Sequence, residues 1–375
     1  MAKYFTLFSL CIITNCALAQ NIVPTTIKEL PAGTVKFQGG TNTCWSFSTT
    51  SMIETQLIQS DNENIDISEI YTSRNMFIEK AKRYILSGGT TLFEAGALSH
   101  DALFGIQKYG AIPNEFYPRE KAVAFSMRSK IQLDEILKNY LDSVLKNKPI
   151  NPNWLAGFIK KHDDIVGVPP EKFTWHGKEY TPITFEQEVL KFNPDDYVTI
   201  TSFTHHPFYK NFALEIPDNF LMAEPYLNVP LDELINIAGS TIQKGYPLTV
   251  DMDVSNNGWN TGNSGYALFE GTRFHNVADP DTSEMAYSPG LRQQLFETLE
   301  TQDDHLIHVV GIAKSKSGKL FFILKDSMGI RGPFQGHDYI SINYFGINAL
   351  AITIPKKALD PKYLPMVNTT PGRGL

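Results

Sequence analysis

A chain of 375 residues that is 42% hydrophobic and 12% aromatic can bury a sizeable core, which excludes a disordered or fibrous protein. Its 33 Lys and Arg against 40 Asp and Glu give a net charge of −7, and no basic cluster offsets it, so a nucleic-acid partner is not expected.

The opening MAKYFTLFSLCIITNCALAQ sets Lys3 before an apolar stretch from Tyr4 to about Ile13 and closes on Ala17-Leu18-Ala19. That is the layout of a secretory signal peptide over residues 1–19, so the expectation is a mature chain from about Gln20 that is exported, periplasmic or secreted. The apolar run is shorter than the roughly 20 residues of a membrane span, and no later segment comes close. A lipid anchor on Cys16 is disfavoured, because Ile13-Thr14-Asn15 lacks the small residues that should precede it. Cys11 and Cys16 leave with the leader. Cys44, inside QGGTNTCWSFS at 38–48, then has no partner for an internal disulfide. An unpaired thiol in an oxidising compartment is either a small buried hydrophobe or a reactive group.

Residues 22–40 are rich in Pro, Gly and Thr and read as extended chain. Phe47, Met52, Ile53, Leu57 and Ile58 then predict a helix with one apolar face that begins at or near Cys44. A second helix is predicted in SEIYTSRNMFIEKAKRYIL, capped by Ser68 and stopped at Gly88-Gly89, and a third from about Leu92 to Tyr109, ended by Gly110. Between Pro113 and Asp253 come a polar helix around 127–147, Pro-bounded loops and an aromatic-rich run at 173–209. Asp232 to Lys244 reads as a helix, and LTVDMDV after it alternates like a strand. HLIHVVGIAK and KLFFILKDS form a hairpin across Gly318, and HDYISINYF and ALAITI add two strands. Helices first and strands last predict an α+β fold of two unlike lobes. The expected divisions are a helical lobe at about 20–110, an insertion region at 111–245, a β-rich lobe at 246–355 and a C-terminal tail at 356–375.

A helix N-terminus and a nearby imidazolium are the two usual means of lowering a thiol's pKa, and the first is available to Cys44. Gln38 lies six residues upstream on extended chain, where its amide can converge with the Cys44 backbone N–H as a donor for an oxyanion. Metal chemistry is disfavoured: Asp304, His305 and His308 lie on a predicted strand, where two His three apart face opposite sides, and His205-His206 beside Pro207 reads as a loop. No G-x-S-x-G elbow accompanies Asn263-Ser264-Gly265. Neither a metal nor another cofactor is expected.

Gln38, then Cys44-Trp45, then Ser48 resembles the cysteine-site pattern of papain-like cysteine peptidases, in which a Gln precedes the nucleophile by six. Position 42 is Asn where that family usually has Gly or Glu, so the loop entering the helix should differ in shape. The family's downstream run is His, five mostly apolar residues, then Gly. His305 to Gly311 fits it; His308 does not, and alternation sets it on the other face. LKDSMG at 324–329 resembles the family's V-K-N-S-W-G, with Asp326 in place of Asn and Met328 in place of Trp. Asp accepts the imidazole N–H as Asn does, and its charge favours the imidazolium and with it the Cys44 thiolate. Ionised Asp cannot donate, however, and Met covers the pair less rigidly than Trp. The resemblance thus implies a catalytic set of Gln38, Cys44, His305 and Asp326.

Cys44 and His305 are 261 positions apart and no disulfide links the halves, which resembles the bleomycin hydrolase and aminopeptidase C branch with its large helical insertions. YGAIPNEFYP at 109–118, GVPPEKFTWHGKEYTPITFEQEVLKF at 167–192 and IQKGYPLTVDMDV at 242–254 agree. The likeness implies a papain-like two-lobe fold, peptide substrates, an acyl-enzyme on Cys44 and a homo-oligomer. It also implies an aminopeptidase whose own C-terminus enters the cleft. The tail DPKYLPMVNTTPGRGL looks shorter and less apolar than family tails, which keeps an endopeptidase open. Asp326 and Met328 keep open a papain-fold peptide-binding protein with decayed catalysis, against which Gln38, Cys44 and His305 stand together.

Overall fold

The computed structural model describes residues 22–61, 63–220, 226–269 and 279–367. The expected signal peptide at 1–19 and the tail beyond Val367 lie outside these residues. The first helix, Cys44–Asp61, starts at the cysteine, but residues 43–55 are buried on every side and not along one apolar face. The helix is central, wedged between the strand His305–Lys314 and the helices Glu69–Leu86 and Ser99–Tyr109. Ser68 caps Glu69–Leu86 as its sequence predicts, accepting from the Tyr71 N–H. Gly88 and Gly89, with φ of 68° and 86°, then turn the chain out of the helix, a conformation that costs glycine little.

The third helix starts at Ser99, seven residues later than its pattern predicts. Residues 94–96 have other partners: the Trp45 indole donates to the Ala95 carbonyl at 3.0 Å, and the Lys80 ammonium donates to the carbonyls of Glu94 and Gly96. Backbone acceptors committed sideways in this way cannot continue a helical ladder. The polar helix at 127–147 is two helices, Glu120–Arg128 and Leu133–Leu145, broken where Ser129 turns extended and its hydroxyl bonds the backbone of Ile131. Leu133–Leu145 and Trp154–Val166 pack on Glu69–Leu86 through Phe77, Phe93, Leu137, Leu141 and Phe158.

Ten strands of the described residues form one sheet. Its centre is His305–Lys314, flanked by Leu320–Lys325 and Leu248–Met252, and outward from the latter lie Ala349–Pro355 and Tyr197–Thr201. Strands from residues 197–228 and from the N-terminal Thr25–Glu29 thus join those of 248–355. Leu248–Met252 pairs with His305 to Val309, and Thr25–Glu29 continues the same edge from Gly311 to Lys314. This continuation explains Gly311, since a Cβ there would meet the Lys28 carbonyl at 2.7 Å. HDYISINYF is strand only to Ser341. Its hydroxyl accepts from the Tyr344 N–H and opens the helix Ile342–Asn348. That helix and Leu231–Gln243 cover one face of the sheet over Val250, Ile307, Phe322 and Ile352. No helix of the described residues is long and apolar enough to cross a membrane.

A buried charge cluster anchors the extended segment before the first helix. The Lys36 ammonium contacts Glu54 at 2.6 Å and both Asp66 and Glu69 at 2.7 Å, and Arg119 pairs with Glu69 at 2.8 Å. The side chains of Glu54 and Glu69 are 2% and 0% exposed, so removing Lys36 strands Glu54 without a cation and leaves Glu69 to Arg119 alone. Lys36→Met is expected to lower unfolding free energy by about 3–5 kcal/mol in denaturant titration, and adding Glu54→Leu should recover part of the loss. A near-neutral Lys36→Met would show that the cluster does not carry this role.

Candidate active site

His305 opens the central strand, paired opposite Met252, and the neighbouring strand Leu320–Lys325 runs back to deliver Asp326 beside it. The His305 Nε2–H donates to Asp326 Oδ1 at 2.8 Å, and the Cys44 sulfur lies beside the ring in the same cleft, near enough to act on its charge. Cys44 is the first residue of its helix, so the dipole's positive end points at the sulfur. Cys44 and His305 are each 9% exposed, within reach of a substrate but shielded from bulk water.

Gln38 reaches the same place by a short antiparallel pairing of 36–38 with 327–329. Its N–H donates to the Ser327 carbonyl at 2.8 Å, Phe37 bridges Met328, and the Gly329 N–H donates to the Lys36 carbonyl at 2.9 Å. The Ser327 hydroxyl donates to Gln38 Oε1 at 2.7 Å, which commits the carbonyl end of the amide and leaves its NH2 for donation. Gln38, Cys44, His305 and Asp326, far apart in sequence, line one cleft of about 680 Å³. Asn42 lies on its rim with φ of 55°, a left-handed position that Asn tolerates better than most side chains.

His308 has no place in this cleft. It is buried on the opposite face of the strand, where its Nδ1 is 2.9 Å from the Ser51 hydroxyl, and burial holds it neutral, well below the ordinary imidazole value. His205 and His206 meet Glu215 on a loop, with His206 Nε2 at 2.7 Å from its carboxylate. The Gln293 amide donates to His205 Nδ1 at 2.9 Å while its carbonyl accepts from the Thr204 N–H, so His205 Nε2 carries a proton directed at Glu215. A ring nitrogen in that state is not a metal ligand.

The departure at Asp326 has a partner that the sequence reading did not identify. Arg331 donates to Asp326 Oδ2 at 2.5 Å and to Asp338 at 3.1 Å, and its guanidinium lies 3.3 Å from the Thr261 hydroxyl. An acid in place of a buried amide requires a counter-charge, and a cation five residues downstream was the available signal. Burial works against the charge on Asp326, but His305 and then Arg331 overcome it and hold the carboxyl down at about 2. Burial likewise disfavours the imidazolium of His305, yet Asp326 and then Cys44 outweigh it and push the ring up to about 10. Met328 sits 39% exposed at the cleft rim, and Asp326 remains buried without a Trp above it.

The profile of the Peptidase C1-like family matches residues 99–371, well over half of the chain. The chain belongs to that family. This peptidase has a papain-like α+β fold and is of the cysteine type. It is 22% identical over 381 residues to aminopeptidase G of Lactobacillus delbrueckii subsp. lactis, covering 92% of this chain and 85% of that one. It is 23% identical over 269 residues to aminopeptidase W of the same organism, 62% of each. The crystal structure of PepW from Lactobacillus rhamnosis HN001 superposes with a TM-score of 0.71 over 92% of this chain and 85% of that one, at 18% identity, a likeness of fold. The family profile takes in His305 and Asp326; Gln38 and Cys44 lie upstream of it.

The upward shift of His305 means that its imidazolium persists from neutral pH until pH climbs toward about 10. Asp326→Asn removes the largest charge sustaining it. The alkaline limb of this peptidase's kcat/KM profile should then move to lower pH by about one unit or more. A profile that does not move would mean that the carboxylate charge plays no part in keeping the ring protonated.

Proposed function

We propose that this peptidase is an aminopeptidase acting on small peptides, with Cys44 as nucleophile, His305 as general acid and base, Asp326 orienting the ring and Gln38 as oxyanion donor. The observation that carries the reading is the chain of contacts Cys44–His305–Asp326–Arg331 at the mouth of the cleft. The names of aminopeptidases G and W support the class of substrate. The Cys44 thiolate attacks the scissile carbonyl carbon, and the oxyanion meets the Gln38 NH2 and the Cys44 backbone N–H, one of the first-turn donors without a helical acceptor. His305 protonates the departing amine. The same ring then takes a proton from water, whose oxygen attacks the thioester and releases the acid and the thiolate.

The described part of the tail does not line the cleft. Asn211 donates to the Met366 carbonyl at 2.6 Å, and Met366 and Val367 pack on the apolar layer of the sheet. Any restriction to N-termini must come from residues beyond Val367 or from the cleft itself. The pattern of Lys3, the apolar run and Ala17-Leu18-Ala19 supports export of the enzyme.

A thiol-directed epoxide should label Cys44 far faster than a free thiol, and Cys44→Ser and His305→Ala should abolish hydrolysis of amino-acid arylamides. Gln38→Ala should lower kcat by roughly 10²–10³. Cleavage of N-acetylated substrates as fast as unblocked ones would replace the aminopeptidase reading with an endopeptidase. Absence of both labelling and cleavage would overturn the mechanism.

A further inference from the structure

The wall of the cleft beside Cys44 carries more negative charge than the reaction above uses. Glu94, Asp134, Asp218, Asp303 and Asp304 line it, and the cations among its lining residues are committed elsewhere, the His305 imidazolium to Asp326 and Arg331 to Asp326 and Asp338. Asp251, on the strand Leu248–Met252, does not line the cleft but lies behind Asp303, whose carboxyl it meets. It is 4% exposed and neither of its oxygens has a hydrogen-bond donor, nor does Oδ2 of Asp303. Burial, and then the charges of Asp303, Asp218 and the Cys44 sulfur, push its carboxyl well above the ordinary value. Burial, and then Asp218, push the Asp303 carboxyl up to about 7, and burial pushes Asp218 up to about 6.

The placement of Asp218 is built into the backbone. Its carboxylate lies so close over Gly96 that a Cβ there would meet Oδ2 at 2.0 Å, and Gly96 itself lines the cleft. Lys80 is the nearby cation, but it is 5% exposed, and its ammonium is committed to the carbonyls of Glu94 and Gly96 beneath the Phe220 ring. Asp134 and Asp304 accept backbone N–H groups, but the unpartnered oxygens of Asp251 and Asp303 cost stability, and such a cost is offset when a ligand brings the missing donors and charge.

We propose that this wall is a subsite for a cationic nitrogen of the bound peptide, the α-ammonium of the residue whose carbonyl Cys44 attacks, received by Asp218 and Asp303 with Asp251 behind them. The identity of that nitrogen rests on the aminopeptidase reading; the subsite does not. An ammonium offers three donors to an acceptor-only wall, and charge-assisted bonds in a shielded cleft are the strong kind. The side chain of a Lys preceding the scissile bond would bring the same chemistry.

The test compares kcat/KM for unblocked and N-acetylated aminoacyl arylamides, and for N-acetyl dipeptide arylamides with Lys or norleucine first, in wild type, Asp218→Asn, Asp303→Asn and Asp251→Asn. Melting temperature and epoxide labelling of Cys44 show that each variant is folded, and any one folded variant suffices. The expected result is a wild-type preference for the unblocked substrate that drops about tenfold or more in the Asn variants. An unblocked preference that survives every folded variant overturns the subsite and leaves the aminopeptidase reading standing. A preference only for Lys over norleucine, lost in the variants, upholds the subsite and overturns the aminopeptidase reading. Absence of either preference in wild type overturns both.

Discussion

One buried carboxylate divides its two oxygens between an imidazole ring and a guanidinium. Asp326 Oδ1 accepts from the His305 ring and from the Ser327 N–H at 2.7 Å, while Oδ2 accepts from Arg331. An amide in this position would need no counter-ion. A carboxylate whose side chain is 1% exposed would be costly alone, because the desolvation of an unpaired ion amounts to several kcal/mol. Arg331 and the imidazolium share that burden, and the direction of the ring, and through it the thiol, follows from how they share it.

The same few residues lock the two parts of the molecule to each other. Ser327 uses its N–H on Asp326, its carbonyl on the Gln38 N–H and its hydroxyl on the Gln38 side chain, so one residue holds Gln38 and the acceptor of the His305 ring. Immediately upstream, Lys36 ties the Gln38 segment to Glu54 on the cysteine's helix and to Glu69 on the next. Cys44, His305 and Gln38 therefore cannot move independently, and the roles proposed for them would draw on such pre-organisation.

Much of this was legible in the sequence where the determinant was local. The Ser68 cap, the glycine stop at 88–89, the hairpin across Gly318 and the start of a helix at Cys44 each depend on a few neighbouring residues. Gln38, Cys44 and His305 were legible because they resemble a motif. What escaped depends on partners distant in sequence. Residues 92–98 look helical until Trp45 and Lys80 draw their carbonyls aside, and the cysteine's helix looks one-sided until the sheet and two helices surround it. Arg331 was in view five residues downstream but went unpaired, because Asp326 was read against an amide that needs no counter-ion. The acidic wall was invisible because Gly96, Asp218, Asp251 and Asp303 come from four separate segments.

The strand Thr25–Glu29 limits how far the N-terminus could be shortened. It completes the edge of His305–Lys314 from Gly311 onward, where the Lys28 carbonyl excludes any side chain at 311. A leader severed at about Gln20 would spare this strand. A cut only several residues later would bare a row of unpaired N–H and C=O groups on the strand that bears His305, the kind of open edge to which other chains add. Any trimming of the N-terminus would thus be bounded by a seam in the sheet, at the far end of the strand from His305.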